Sequence, residues 1–373
     1  MRRRPGRLAA EALVLVGVAL AVAALVRATL DNLDARGIPT GFDFLHLPAR
    51  FAISESVLAY TPRDSYYWAA FVGLTNSLFV TLLVAIGSTA LGLFVGIGRL
   101  SANVLVAGLA RTWVEIARNT PPIVLLFFLY SLWWRVLPEV SQAINPAPGV
   151  FISMRGIFIP DVNLTVEIGF AAVVLAGMAL AIVVPRHAPT VGLPRSPLAI
   201  ATVILAMFFA LAFVAFPPQV LVDFPVFVRA NFRGGVELTP EFVTIVVGLT
   251  LYTTGFVAEI VRTGLLSVGR GQWEAGRALG LRRGQLLRYV VIPQMYRVVL
   301  PPMTSQYINI LKNSTLAIAV GYPDFLAIMG TIINKSSHAM EGIAIILGAY
   351  LAVNLSISAG LNALNRRVAI RER

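Results

Sequence analysis

The chain has 373 residues, 57% of them hydrophobic and only 13% charged, with a mean hydropathy of +0.79, a formal net charge of +12 and no cysteine. A soluble globule of this composition would leave too much apolar surface in water, and the missing thiols exclude disulfides, Cys-ligated metals and thiol nucleophiles. His46, His187 and His338 are the only imidazoles, with no HExxH pair or Cys/His cluster, so no metal site is expected.

The apolar runs are continuous and rich in Leu, Val and Ala rather than strictly alternating, which predicts an all-α, polytopic helical membrane protein and not a β-barrel. MRRRPGR precedes the first run, Leu13 to Leu30, which is long for a signal-peptide core and reads as a retained span. Residues 31 to 67 follow as an outer loop whose DNLDARGIPTGFDF stretch favours turns over a regular element. Further spans are expected at residues 73–98, 121–137, 166–184, 197–216, 241–262, 298–318 and 343–363, eight in all, with both termini on one side of the membrane. Four regions result. Residues 1–72 hold the first span and the outer loop, and 73–138 the first part of a core. Residues 139–240 are an inserted section with two spans, a PRHAPTVGLPRS turn and Pro-rich outer loops, and 241–373 complete the core with an inner loop at 263–297.

Charge selects the orientation. With a cytoplasmic amino terminus, the inner segments 1–12, 99–120, 185–196, 259–297 and 364–373 hold twenty arginines against five acids, and the remainder holds eight arginines and two lysines against thirteen acids. This asymmetry satisfies the positive-inside rule in one orientation only and accounts for the net charge without nucleic acid. Tyr66, Tyr67 and Trp68 before the second span, and Trp133 and Trp134 at the end of the third, fall at the expected outer interfaces, where amphipathic rings favour the headgroups.

The third span follows ARNTPP, where Thr120 is placed to cap a helix whose first turn starts with Pro121. Glu115 and Arg118, three apart, can pair on one helix face, as can Glu259 and Arg262 at the inner end of the sixth span; the two EIxR copies mark either a shared inner gate or a coincidence. In the seventh span Ser305, Asn309 and Lys312 recur at helical spacing, accompanied by Gln306, Asn313 and Ser314. Polar groups are expensive against lipid, so the stripe lines either a solute pathway or an interhelical seam. Lys312 is suited to attract a substrate carboxylate or to pair with Asp324.

The inner loop WEAGRALGLRRGQLLRYVVIP puts four arginines and one glutamate between apolar stretches. Gln272 to Leu279 predicts a short helix with Glu274 in its first turn, Arg277 one turn on and Gly280 as a left-handed terminator. A second short helix is expected from Arg283 to Val291, closed by Pro293. Composition alone makes this an ordinary basic loop, but its residues are more specific. Glu274-Ala275-Gly276, then Gly280, then Ile292-Pro293 resembles the EAA-x3-G and I-x-L-P pattern of ABC importer membrane subunits, with Gly276 for the second alanine and no residue between Ile292 and Pro293. ARNTPPIVLLFFLY (Ala117 to Tyr130), ALGL, and TSQYINILKNSTLAIAVGYPDF (Thr304 to Phe325) are similar to the polar amino acid permeases of that superfamily. LDNLDARGIPTGFDFL and RGIFIP (Arg155 to Pro160) are similar to the larger permease subunits of general L-amino acid uptake systems.

That resemblance implies a type I ABC importer permease-like core in the bacterial inner membrane, with Glu274, Ala275, Gly276, Leu279 and Gly280 in a coupling helix that docks on an ATPase. It also implies a second permease subunit in a heterodimer, a cytoplasmic ABC ATPase dimer carrying ATP and Mg, and a periplasmic amino-acid-binding protein. Neither catalysis nor a bound cofactor is then expected on this chain, and its only lysines, Lys312 and Lys335, lie outside any Walker A pattern. Two alternatives compete. A secondary transporter is expected to carry coupling acids in mid-span, whereas here the acids cluster at span ends. An intramembrane enzyme needs a nucleophile, base and orienting group, which these motifs do not assemble. Reporter fusions at Ala10 and Gly284 are expected to report inside and those at Asp43 and Asn231 outside; an outside signal at Gly284 removes any coupling role for the loop.

Overall fold

The computed structural model describes residues 5–37, 39–165, 168–187, 197–217 and 219–368. The helices, in chain order, are α1 (Pro5–Ala35), α2 (Tyr66–Gly98), α3 (Val104–Asn119), α4 (Pro122–Val136), α5 (Ile168–His187), α6 (Pro197–Ala215), α7 (Pro240–Leu266), α8 (Arg270–Ala278), α9 (Arg283–Leu286), α10 (Ile292–Asn313), α11 (Phe325–Ser336) and α12 (Ala339–Val368). The chain is predominantly helical, as its composition requires, and each expected apolar segment falls mainly on helix, with residues 166 and 167 of the fourth lying outside the described residues. The inner turn expected at 185–196 falls outside those residues beyond His187, as do residues 1–4 and 369–373.

By length and apolarity α2, α7 and residues Ala339–Ala363 of α12 suffice to cross a bilayer, and Arg283–Val320 with Phe325–Ser336, bent by 59°, passes the same test only as a pair, as a broken span or a re-entrant loop. The remaining apolar stretches are shorter: Val16–Thr29, Pro122–Val136, Ala172–Ala181 and Ile200–Ala215. The seventh span is therefore not the simple rod expected at 298–318. After Asn313 the chain tightens into a 3-10 helix, Ser314–Val320, turns at the left-handed Gly321, and restarts as α11. Pro301 and Pro302 lie inside α10.

Two compact units form, one of Met1–Leu132 with Glu241–Arg373 and the other of Trp133–Pro240. In the first, α2 starts at Ser65, whose hydroxyl accepts from the Trp68 N–H at 3.2 Å. One face of α2 is stripped to small residues so that neighbouring helices can approach. A β-carbon on Gly92 would stand 2.5 Å from Val257 of α7, and one on Gly96 2.7 Å from the Ala258 carbonyl. Val257 and Ala258 are fully buried at this seam. Close backbone approach through small residues is how helices associate where lipid supplies no hydrophobic drive between them.

The outer loop is more ordered than its turn-rich composition suggests. A 3-10 turn at Asp43–His46 buries Phe44 in a cluster with Ala49, Tyr66, Phe325 and Met329, and Phe44 stacks on His338 with ring centroids 4.2 Å apart. The Gly41 N–H donates to Glu341 Oε1 at 2.8 Å. The Tyr60 hydroxyl donates to the Phe51 carbonyl at 2.9 Å, and burial, with Asp64 second, pushes that phenol above its ordinary pKa.

The second unit adds eight short strands to the all-helical expectation, all in the connections flanking α5 and α6. They are β1 (Ile144–Ala147), β2 (Val150–Ser153), β3 (Gly156–Ile159), β4 (Asp161–Thr165), β5 (Gln219–Asp223), β6 (Val226–Val228), β7 (Asn231–Arg233) and β8 (Val236–Leu238). The pairings are antiparallel, in an order β1-β2-β3-β8 with two-stranded ribbons β4-β5 and β6-β7. VFIS and GIFI are β-branched and aromatic, and Gly149 at φ +77° makes the tight turn between β1 and β2, so short hairpins prevail although prolines flank them. Phe151, Phe158 and Phe232 form their core, with Phe151 and Phe232 centroids 4.4 Å apart.

Because the seam is already closed, Gly92→Ala is expected to cost about 1–3 kcal/mol through overpacking. Its thermal unfolding in detergent should move down, whereas Gly108→Ala inside α3, whose β-carbon meets nothing within 4 Å, should match or slightly exceed the parent, alanine being the better helix former by about 1 kcal/mol.

Candidate functional site

Three groups of residues carry candidate chemistry, all in the first unit. The inner loop folds largely as its sequence dictates. α8 ends in paired hydrogen bonds from the Gly280 N–H to the Arg277 carbonyl at 2.9 Å and from the Leu281 N–H to the Gly276 carbonyl at 3.1 Å, with Gly280 at φ +72°. This double closure is the Schellman arrangement, and it needs a residue free to adopt the left-handed region. Gly276 explains its own departure from the EAA pattern, because a β-carbon there would collide with buried Leu286. Glu274, Ala275, Arg277 and Leu279 remain exposed, Leu279 by 80%.

Two details of this loop differ from expectation. α8 begins at Arg270, so Glu274 lies in the second turn and the first turn contains no acid; the dipole argument for Glu274 does not hold. Pro293 does not close a separate helix, since α9 passes through a π-helical turn, Leu287–Val291, directly into α10. Ile292 N–H donates to the Leu287 carbonyl five residues back, and this wider register lets the chain carry a proline, with no N–H to give, into the first turn of α10. Val268, Leu286 and Val291 are buried together beneath Trp273 and Leu281, so α8 is packed onto the junction of α7 and α10.

On α10, Ser305, Asn309 and Lys312 are exposed and Gln306 and Asn313 half-buried, while Met303, Ile310 and Leu311 are buried on the other side. The stripe thus faces away from the rest of its unit. Ser314 departs from it: it is buried and its hydroxyl donates to the Leu311 carbonyl at 2.8 Å. Lys312 forms no ion pair among the described residues. Asp324 is instead fully buried, and its Oδ1 accepts from the Ala327 N–H at 2.8 Å as the N-cap of α11.

The two EIxR copies meet. Glu115, Arg118 and Glu259 line one cavity of about 370 Å³ together with Arg99, Val114, Asn119 and Phe256. Glu259 pairs with Arg262 at 2.6 Å, as the spacing suggested, and also with Arg99 at the end of α2. Glu115 and Arg118 do not pair with each other; the Arg118 guanidinium lies over the Phe256 ring, 5.8 Å from its centroid. Thr120 terminates α3 rather than capping α4, and the Pro121 carbonyl takes the first bonds of α4 from Val124 and Leu125. Sequence reasoning missed Arg99, although an arginine directly after a long apolar run was a signal. It also missed Asn76 and Ser77, two polar residues inside the second span whose partners lie far away in sequence.

Apolar spans, one of them broken and polar on one side, with an amphipathic knob packed at the spans' charged end, define a multi-pass membrane protein of the transporter kind. The chain matches the family of binding-protein-dependent transport system inner membrane components over residues 88–370, and it belongs to that family. It is 40% identical over 371 residues to YhdX of Escherichia coli (strain K12), which is named as an amino-acid ABC transporter permease protein, covering 97% of this chain and 94% of that one. It is 35% identical over 351 residues to the general L-amino acid transport system permease protein AapQ of Rhizobium johnstonii, covering 92% and 88%. It is 30% identical over 378 residues to the glutamate/glutamine/aspartate/asparagine transport system permease protein BztB of Rhodobacter capsulatus, again covering 92% and 88%.

The exposure pattern of α10 sets a labelling test. In this cysteine-free chain, single cysteines at Ser305, Asn309 and Lys312 should react with small aqueous thiol reagents, while those at Ile310, Leu311 and Ser314 should not. Labelling at Leu311 with silence at the stripe would reverse the face assignment.

Proposed function

We propose that the chain is the translocation subunit of an ATP-driven importer of L-amino acids, and that α8 is the element through which an ATPase drives it. The observation that carries this reading is α8 itself: a short, rigidly terminated helix that exposes Glu274, Arg277 and Leu279 while its buried side is locked onto α7 and α10. Such a helix can transmit a push only if its orientation is fixed and its outer face is free. Family membership and the names of the relatives support the amino acid cargo.

In this reading ATP and Mg are bound by a cytoplasmic ABC ATPase dimer, and this chain holds no cofactor and performs no catalysis. A second permease subunit faces the polar side of α10, completing a pathway that Ser305, Gln306, Asn309, Lys312 and Asn313 line. A periplasmic binding protein delivers the amino acid. Both termini and α8 are cytoplasmic in this reading, which the arginine distribution supports. Regions 1–72 and 139–240 are additions around a core formed by 73–138 and 241–373.

Gly280→Val forces a β-branched residue into the left-handed turn, a local strain of about 1–3 kcal/mol, enough to misorient α8 without unfolding the spans. Glu274→Lys reverses a charge on the exposed face and should weaken ATPase docking about tenfold or more, roughly 1.4 kcal/mol. Both variants should reach the membrane at parental levels and lose substrate-stimulated ATP hydrolysis and uptake, and Glu274→Lys should also shed the ATPase on purification. Normal assembly and uptake in both would reduce the segment to a basic loop.

A further inference from the structure

The cavity where the two EIxR copies meet has a charge pattern that a simple ion-pair gate does not need. Both carboxylate oxygens of Glu259 are engaged, Oε2 by Arg99 and Arg262 Nε and Oε1 by Arg262 Nη2. Beside this closed triad stand one cation and one anion, Arg118 and Glu115, neither of which has an ion-pair partner among the described residues. Phe256 takes one face of the Arg118 guanidinium and leaves its N–H edge free, the edge that binds carboxylates in a fork. Val114 adds an apolar wall to the space of about 370 Å³, and Asn119 also lines it without contributing to the charge pattern.

We propose that this cavity is a binding site for the zwitterionic head of an α-amino acid, with the α-carboxylate on Arg118 and the α-ammonium on Glu115. The inference rests on the transport reading above and deepens it. A free carboxylate and a free guanidinium in one cavity complement both ends of a zwitterion, whereas a decarboxylated amine or an amino acid ester satisfies only Glu115. Three arginines against two glutamates leave the cluster at +1, so neutral and acidic side chains are favoured over basic ones. The cavity is lined by Arg99, which follows α2, by the last turns of α3 and by Phe256 and Glu259 of α7.

The test uses the assembled transporter in lipid nanodiscs, nucleotide-free, with Asn119→Cys as the only thiol in this chain and cysteine-free partner subunits. L-glutamine, L-glutamate and L-leucine at millimolar concentration should slow alkylation of that cysteine about threefold, the free fraction left when ligand stands at about twice its dissociation constant. L-Leucine methyl ester, the corresponding amine and equimolar sodium chloride should not slow it. Protection should vanish in Arg118→Ala and in Glu115→Gln and return in part in Arg118→Lys. Uptake of the same amino acids by proteoliposomes is measured in parallel. Uptake without protection overturns the site and leaves the transport reading standing; absence of both overturns both. Protection by salt or ester, or protection that survives Arg118→Ala, also overturns the site, and a variant that fails to assemble is replaced by Glu115→Asp, which should shift protection to higher ligand concentration.

Discussion

The first unit depends on how a helix is broken without stranding backbone polar groups. Between Val320 and Phe325 the chain leaves helical geometry, and in an apolar surrounding each unsatisfied N–H or carbonyl there costs several kcal/mol, on the order of 2–7. Asn76 and Ser77 on α2 meet that need. The Asn76 amide donates to the Pro323 carbonyl at 2.9 Å, and the Ser77 hydroxyl accepts from the Phe325 N–H at 2.9 Å. The same Asn76 donates to the Glu55 carbonyl at 3.0 Å and accepts from the Val57 N–H at 3.0 Å. One fully buried side chain thereby ties together α2, the outer loop and the start of α11. Asp324 caps α11 from its own end, so the break is held from both sides.

That clamp divides the unit mechanically. At the break, α2, α11 and the outer loop share a continuous buried cluster running from Phe44 to Ile332. At the other end, the α7–α10 contact is built from Val257, Val261, Val299 and Met303, with α8 locked beneath it through Val268, Leu286 and Val291. A force on α8 reaches α10 without crossing a flexible joint, because α9 and the π-turn run into α10 with no break. The prolines at 301 and 302 then stand between the α8 end and the clamped end. Proline removes backbone hydrogen bonds inside a helix, so α10 is weakest where it must bend if one end moves and the other does not.

The features legible in the sequence were those with local causes. Apolar runs located the helices, Gly280 located its turn, and the spacing of Glu259 and Arg262 located their pair. Elements set by distant partners were not legible: β3–β8 and β4–β5 pair across α5 and α6, β4 meeting β5 from Asp161–Asp223 to Thr165–Gln219. The Lys312–Asp324 pairing failed for a related reason. Proximity in sequence favoured it, but a buried N-cap duty already held the aspartate. Similarly, the expected Glu115–Arg118 pair lost to the Phe256 ring, which belongs to a helix more than a hundred residues away.

Gly276 shows how a motif letter and its physical role separate. The pattern it resembles has alanine there, yet here the space of that methyl group is filled by Leu286, which closes the underside of α8. The rigidity of α8 comes from this buried contact and from the Gly280 closure, not from the identity of the residue at that position. The polar face of α10 obeys the same logic in reverse. Among the described residues Ser305, Asn309 and Lys312 find no partner surface in their own unit, and a lysine facing hydrocarbon is disfavoured by at least ~2.5 kcal/mol, so the face must meet water or another protein. A pathway shared between two permease subunits satisfies that requirement along the whole stripe, since it places water on the polar side of α10 and leaves Met303, Ile310 and Leu311 to the core.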